Sequence, residues 1–349
     1  MIDNVCTVNP GHYEISKGMT KNDIEGLANN ANVKTIQFSS PLANQEIDLL
    51  EKVIFSKRPD IELRIYGHYS EKCDLTFLER IPSLRKVSAD CLRYASGIEA
   101  VIKLTNLEHL EIGIFDLDNF DFLEKISPNI KTLGLLQTRS KKPRIDCISR
   151  FMDLEYLYLE GQQNGIESIS DLKNLQDVTL RSISTKNLDF LSHLKNLWSV
   201  DIKLGGIKNF NALTTLPNLK YLELWQIKGL SDLSFISRLP TLQNLFLQSL
   251  KQVTKIPSLN KNVSLRRVCL ENLKGLTDST ALKYAPNLKE FCYFDAQNQK
   301  PENLIPVLEN PAVECVCCGF GSDKKNAQFA ELAKKYKKKK TWNNEFQYE

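Results

Sequence analysis

Leu154-Glu155-Tyr156-Leu157-Tyr158-Leu159 is an apolar residue followed at +3 and +5 by two more, and this short phrase is restated along most of the chain. The same frame stands at Leu107/Leu110/Ile112, Ile130/Leu133/Leu135, Leu175/Val178/Leu180, Leu197/Val200/Ile202, Leu219/Leu222/Leu224, Leu242/Leu245/Leu247, Leu265/Val268/Leu270 and Leu288/Phe291/Tyr293. Looser copies flank them at Val33/Ile36/Phe38, Asp60/Leu63/Ile65, Leu84/Val87/Ala89 and Val313/Val316/Cys318, which makes 13 candidate rungs with starts 21 to 27 residues apart. The longest steps fall at the two ends, where a stacked array needs atypical rungs to cover a core edge that has no neighbour.

Within the phrase, buried and exposed positions alternate with period 2, so it reads as a short strand whose leucines point one way and whose intervening residues point the other. A spacing near 23 residues is too short for a helical crossover of full length. The return path is therefore expected to be a turn with a 3₁₀ or short helical segment, and it carries apolar residues of its own, as in Leu230, Leu233, Ile236 and Leu239. Stacked in register, such units give a curved parallel sheet with one face open. Numbered from the first leucine, positions 3, 5 and 7 of each phrase point into that concave face.

The chain resembles the leucine-rich repeat family over roughly residues 33 to 320. Phrases such as LSDLSFISRLPTLQNLFL and LDFLSHLKNLWSV look like its short-repeat class, shared by bacterial internalins and a phosphatase regulatory subunit. The resemblance implies an α/β leucine-rich repeat solenoid: a right-handed superhelix with a curved parallel sheet of about 13 rungs and helical caps at both ends. It also implies a protein-interaction scaffold. The family usually carries Asn three residues after the last leucine of the phrase; here those positions are Phe115, Thr138, Gln162, Ile183, Gly205, Ile227, Leu250, Leu273 and Ala296. Apolar packing is expected to replace the polar ladder at several of these turns.

The expected organisation is one continuous domain: an N-terminal cap over 1–32, repeats over 33–320, and a cap helix with a Lys-rich tail over 321–349. KNDIEGLANN (21–30) and NQEIDLLEKVIFSK (44–57) have helical spacing, and 301–308 reads as a short helix opened by Pro301. Residues 323–338 read as a final helix with Phe329 and Leu332 inward. Apolar residues at 42% and charged residues at 25% fit a folded chain rather than a disordered one. The start lacks a signal-peptide pattern, no run of 18 apolar residues occurs, and nine unevenly spread cysteines fit free thiols, so a cytoplasmic protein is expected, and the resemblance to internalins implies a bacterial one. The net charge of +4 comes entirely from residues 323–349, where eight lysines face four carboxylates, leaving the repeats neutral. A neutral body argues against a nucleic-acid binder.

The residues between the leucines supply the candidate site. From Leu154 to Gln248 they are Tyr156, Tyr158, Glu160, Asp177, Arg181, Asp201, Lys203, Tyr221, Glu223, Trp225, Phe246 and Gln248. Tyr, Trp and Arg bury a large area while keeping a polar handle, which is why they dominate binding hot spots. An exposed Trp225 flanked by Lys203 and Gln248 is the leading candidate. The last three rungs place Cys269, Cys292 and Cys317 at position 5, with Cys315 beside them and Cys318 turned into the core. Their spacing matches no zinc signature, so neither metal nor cofactor is expected.

His12, His68, His109 and His193 lie on separate elements, and only His109 is placed on the concave face, beside Glu111. No Ser/His/Asp or Cys/His set is expected from neighbouring rungs, and no phosphate-cradling loop or HExxH motif occurs. The expectation is a non-enzymatic module gripping a protein partner, as inhibitor, immunity factor or scaffold, with no small-molecule substrate. The alternative is an anion- or membrane-surface adaptor using the Lys-rich tail. Trp342, Phe346 and Tyr348 are expected to close the last rung if that tail belongs to the cap.

Overall fold

The computed structural model describes residues 4–68, 72–140, 143–341 and 345–349. The chain divides into two compact units, Met1–Leu175 and Gln176–Glu349. All 13 predicted rungs are strands. In the first unit six of them run parallel from Thr35–Phe38 through Glu62–Tyr66, Lys86–Leu92, His109–Ile114 and Thr132–Leu135 to Tyr156–Glu160. The second unit stacks seven, from Asp177–Arg181 to Cys315–Cys318, in strict register, with Val178, Val200, Leu222, Leu245, Val268, Phe291 and Val316 aligned across neighbouring strands.

That alignment builds the core. Leu219, Leu222, Leu224, Leu242, Leu245 and Leu247 have no exposed surface, and each such burial stabilises by about 1.5–3 kcal/mol. The second wall comes from the return paths, mostly 3₁₀ segments such as Asn211–Thr215, Ser234–Arg238 and Thr280–Tyr284, whose Leu213, Ile236 and Leu282 are buried. No helix among the described residues is long and apolar enough to cross a membrane.

The predicted helices near the two ends form, with a strand pair in addition. The helices Lys21–Asn29, Asn44–Leu50 (continued by a π turn Glu51–Phe55) and Asp323–Lys335 match the helical spacing, and Phe329 is buried against Phe320 while Leu332 is half-buried. Unforeseen is an antiparallel hairpin, Val5–Asn9 with His12–Ile15, whose second strand pairs in parallel with Thr35–Phe38 and extends the ladder at its start.

The turn ladder is built differently from the expectation of apolar packing alone. Ile183, Ile227, Leu250, Leu273 and Ala296 are indeed buried, but Gln162, buried, keeps a polar role: its amide donates to Leu136 O and accepts from Glu160 N–H. Phe115 instead stays exposed. Polar caps have moved to the Asn before the first leucine, where Asn174, Asn218 and Asn287 donate to Met152 O, Lys195 O and Val263 O one rung back. Just after each of the first six strands of the second unit lies a left-handed residue: Ser182, Leu204, Gln226, Ser249, Asn272 and Asp295, all at φ between 49° and 56°. This geometry turns the backbone N–H of each of the first five toward the next rung, as in Leu204 N–H to Trp225 O at 2.9 Å and Gln226 N–H to Gln248 O at 2.8 Å. The turn is thus bonded by main chain, which is indifferent to side-chain identity.

Candidate binding face of the repeats

Parallel register places equivalent positions of successive rungs side by side. In the second unit, Arg181, Lys203, Trp225 and Gln248 form one row and Asp201, Glu223 and Phe246 another, while Tyr221 stands beside Asn244. The row at position 5 is more closed than expected, because Thr179, Asp201, Glu223, Cys269 and Cys292 are buried. The row at position 7 is half-buried, and Trp225 is part of it rather than standing exposed. Arg181 and Lys203 lie over the Trp225 ring, 5.6 and 5.9 Å from its centroid. Ring and cations hold one another in place, since a ring face attracts a cation.

Below that row is a compact charge network. Lys203 Nζ lies 2.6 Å from Asp201 and 3.4 Å from Glu223, and the Tyr221 hydroxyl donates to Glu223 at 2.6 Å. Two carboxylates share one ammonium, so burial together with the neighbouring Glu223 pushes the Asp201 carboxyl up to about 6. Burial also raises Asp177. Burial works against the Lys203 charge, but the bonds and negative charges of Asp201 and Glu223 together outweigh it and its pKa is raised.

The carboxyl-terminal residues lie against the leading edge of the same strands. Phe346, Tyr348 and Glu349 touch Trp198, Asn244, Arg266 and Arg267, so Phe346 and Tyr348 sit several rungs away from the last one, where they were expected. The cap at that last rung is made by the lysine run instead. Lys339 pairs with the strand at Cys315, and Lys338, its pKa lowered by burial, donates to Asn310 O and Val313 O. Trp342 lies outside the described residues.

The thiol ladder is in the predicted register: Cys269, Cys292 and Cys317 are side by side, and Cys318 is buried. Cys269 and Cys292 have their sulfurs 2.9 Å apart as free thiols. Burial pushes the thiols of Cys292, Cys317 and Cys318 upward, which disfavours the thiolates that metal binding requires.

In the first unit Tyr156, Tyr158 and Glu160 lie on the last strand, with the Tyr158 hydroxyl 3.3 Å from Glu160. Sequence reasoning missed a second cluster there. Glu62, His109 and Glu111 have one ligand atom each within 4.8 Å of one another, and Ser88 sits among them, donating to Glu62 and, at 3.4 Å, to Glu111. A Ser/His/Glu set therefore does assemble from neighbouring rungs, contrary to expectation. Its signal was the shared position of Ser88 and Glu111 in successive phrases. Ser88 Oγ and Glu62 Oε1 both face the same imidazole nitrogen, Nε2, at 3.5 and 3.7 Å. A nucleophile relay needs them on opposite nitrogens, so this geometry is not a triad. Burial lowers the His109 pKa and, with Asp90 and Glu62, raises that of Glu111. His12, also on this face, bonds Gln37 at 2.7 Å.

Among solved structures, the chain is similar to an internalin (inlF) from Listeria monocytogenes, with TM-score 0.58, 18% identity, and coverage of 87% of this chain and 86% of that one. A leucine-rich repeat protein of Leptospira interrogans matches with TM-score 0.51 and 14% identity over 90% and 91%. TLR13, in a complex with ssRNA13, matches with TM-score 0.55 and 16% identity over 87% of this chain and 50% of that one. No protein-family model matches the chain, and no curated protein does either. Repeat phrase, strand register and structural likeness agree: the chain folds as an internalin-like leucine-rich repeat solenoid.

Proposed function

We propose that the protein is a non-enzymatic binding module that grips a protein partner on the open sheet face, with Trp225 and its row at the centre of the second unit's contribution. The observation that carries this reading is the position-7 row. A half-buried indole has Arg181 and Lys203 of the two preceding rungs over its ring and Gln248 of the next rung beside it, which is a rigid aromatic anchor with polar handles and little left to order on binding. Taken by itself, the first unit carries residues of the same kind, Tyr156, Tyr158 and Glu160, on its last strand. An inhibitor, an immunity factor and a scaffold would all use such a face in the same way, by covering a partner's surface.

We infer a reducing compartment, the cytoplasm, because the nine cysteines are free thiols even where Cys269 and Cys292 touch. The alternative of a lysine-tail adaptor draws less support, since Lys338 and Lys339 are engaged in the cap. Affinity capture with wild type and with Trp225→Ala plus Phe246→Ala tests the reading. Proteins recovered by the wild type and lost by the variant support it; identical recoveries refute it.

A further inference from the structure

Residues 346–349 contact the second unit as a bound peptide would. Gln243 uses both ends of its amide on one residue: Nε2 donates to Glu349 O at 3.1 Å and Oε1 accepts from Glu349 N–H at 3.0 Å. This is main-chain recognition, blind to side chain, and Lys220 adds a charged donor to the same Glu349 oxygen. Selectivity comes from three further contacts. Tyr348 stands edge-on to Trp198 at 5.1 Å, and Asn244 donates to its hydroxyl at 3.1 Å. The guanidinium groups of Arg266 and Arg267 lie 5.0 Å from the Phe346 ring centroid. Arg266 also pairs with the Glu349 carboxylate at 2.6 Å and donates to Gln347 O at 2.7 Å.

The receiving residues come from four successive rungs and belong to the leading edge of the strands that carry Tyr221 and Phe246. Trp198, Lys220, Gln243 and Arg266 occupy the same position of each phrase, so the solenoid repeat itself sets their spacing. The occupant, in contrast, stays open to solvent on one side: Tyr348 is 37% exposed and the Glu349 side chain 79%. A ligand tethered this way has a high effective concentration without needing high intrinsic affinity.

We propose that this edge is a recognition groove for an extended peptide with two aromatic residues at alternate positions followed by an acidic one, and that the chain's own Phe346–Glu349 segment fills it as a displaceable internal ligand. The partner is then a protein carrying that pattern, and its docking on the face requires the tail to leave. The inference rests on the reading of this face as a protein-binding surface but adds where the contact begins and what chemistry it selects. Free peptide in solution competes with a tethered copy, so opening the groove should strengthen binding in trans by about tenfold or more.

The test uses full-length protein and a fluorescein-labelled peptide of residues 345–349, read by anisotropy. Phe346→Ala plus Tyr348→Ala in the full chain should bind the peptide at least about tenfold more tightly than wild type does, and adding Arg266→Ala should abolish that binding. Equal binding by wild type and the tail variant, or binding that survives Arg266→Ala, overturns the proposal. Hydrogen exchange gives a second reading on the otherwise unaltered chain. Arg266→Ala should accelerate exchange at the Glu349 amide, and an unchanged rate overturns the proposal. Peptide binding is read without any natural partner, so its failure leaves the capture experiment on Trp225 and Phe246 standing, and the converse also holds.

Discussion

Replacing Asp201 by Asn should stabilise the protein at neutral pH and do nothing in acid. The Asp201 carboxyl sits among Glu223, Lys203 and Tyr221 with its side chain only 12% exposed, and its Oδ1 has no hydrogen-bond partner among the described residues. Burial and Glu223 raise its pKa from 3.8 to about 6, and a gap of this size corresponds to about 3 kcal/mol. A carboxyl whose folded pKa lies above its unfolded one contributes favourably only while protonated. That contribution is complete below about pH 4 and is lost as the pH rises through 6. Asn mimics the protonated form at every pH. It gives up the contact with Lys203, but Lys203 keeps Glu223 at 3.4 Å, so the net gain at pH 7.5 should be about 1–2 kcal/mol. Urea denaturation of both proteins at pH 4, 5, 6 and 7.5 measures it. A difference that grows with pH toward that value supports the account. A variant that is less stable at pH 7.5, or a difference independent of pH, means that the Lys203 pair dominates and the reasoning is wrong.

Two further substitutions test the scaffold. Leu204→Asn should raise the melting temperature by a stabilisation of about 0.5–1 kcal/mol, because Leu204 holds a left-handed conformation at φ 55° that Asn tolerates better; a lower melting temperature would show that its side-chain packing outweighs the backbone strain. Asn262→Ala should cost about 2–3 kcal/mol in urea denaturation, since its fully buried amide donates to Ile236 O and Leu239 O at 2.8 and 2.9 Å, and a loss below 0.5 kcal/mol, about the smallest net worth of one hydrogen bond, would refute that role.

What the sequence made legible was whatever repeats. Every rung start from Val33 to Val313 became a strand, because burying Leu, Val and Ile at fixed spacing leaves one register in which all are covered. The cysteine ladder followed from the same parity. What escaped was whatever depends on contacts far apart in sequence or on backbone angles. Ser88 meets Glu62 and His109 only through stacking of rungs, and Trp225 is covered by Arg181 and Lys203 from two preceding rungs. The left-handed turns at Ser182, Leu204 and Gln226 share no residue type, so no motif announced them. Tyr348 reaches Asn244 across 104 residues, a contact no local pattern encodes. The hairpin Val5–Asn9 with His12–Ile15 was hidden because its strands bury little: most of the first is exposed.

The central claim is that a protein partner docks on the open sheet face and not on the side formed by the 3₁₀ segments. A photo-crosslinking amino acid placed at Gln248, in the Trp225 row, and separately at Tyr284, 59% exposed on the Thr280–Tyr284 segment, compares the two sides directly in extracts of the source organism. The account predicts a discrete protein adduct from position 248 that is missing from position 284. An adduct from position 284 with none from position 248 would contradict it.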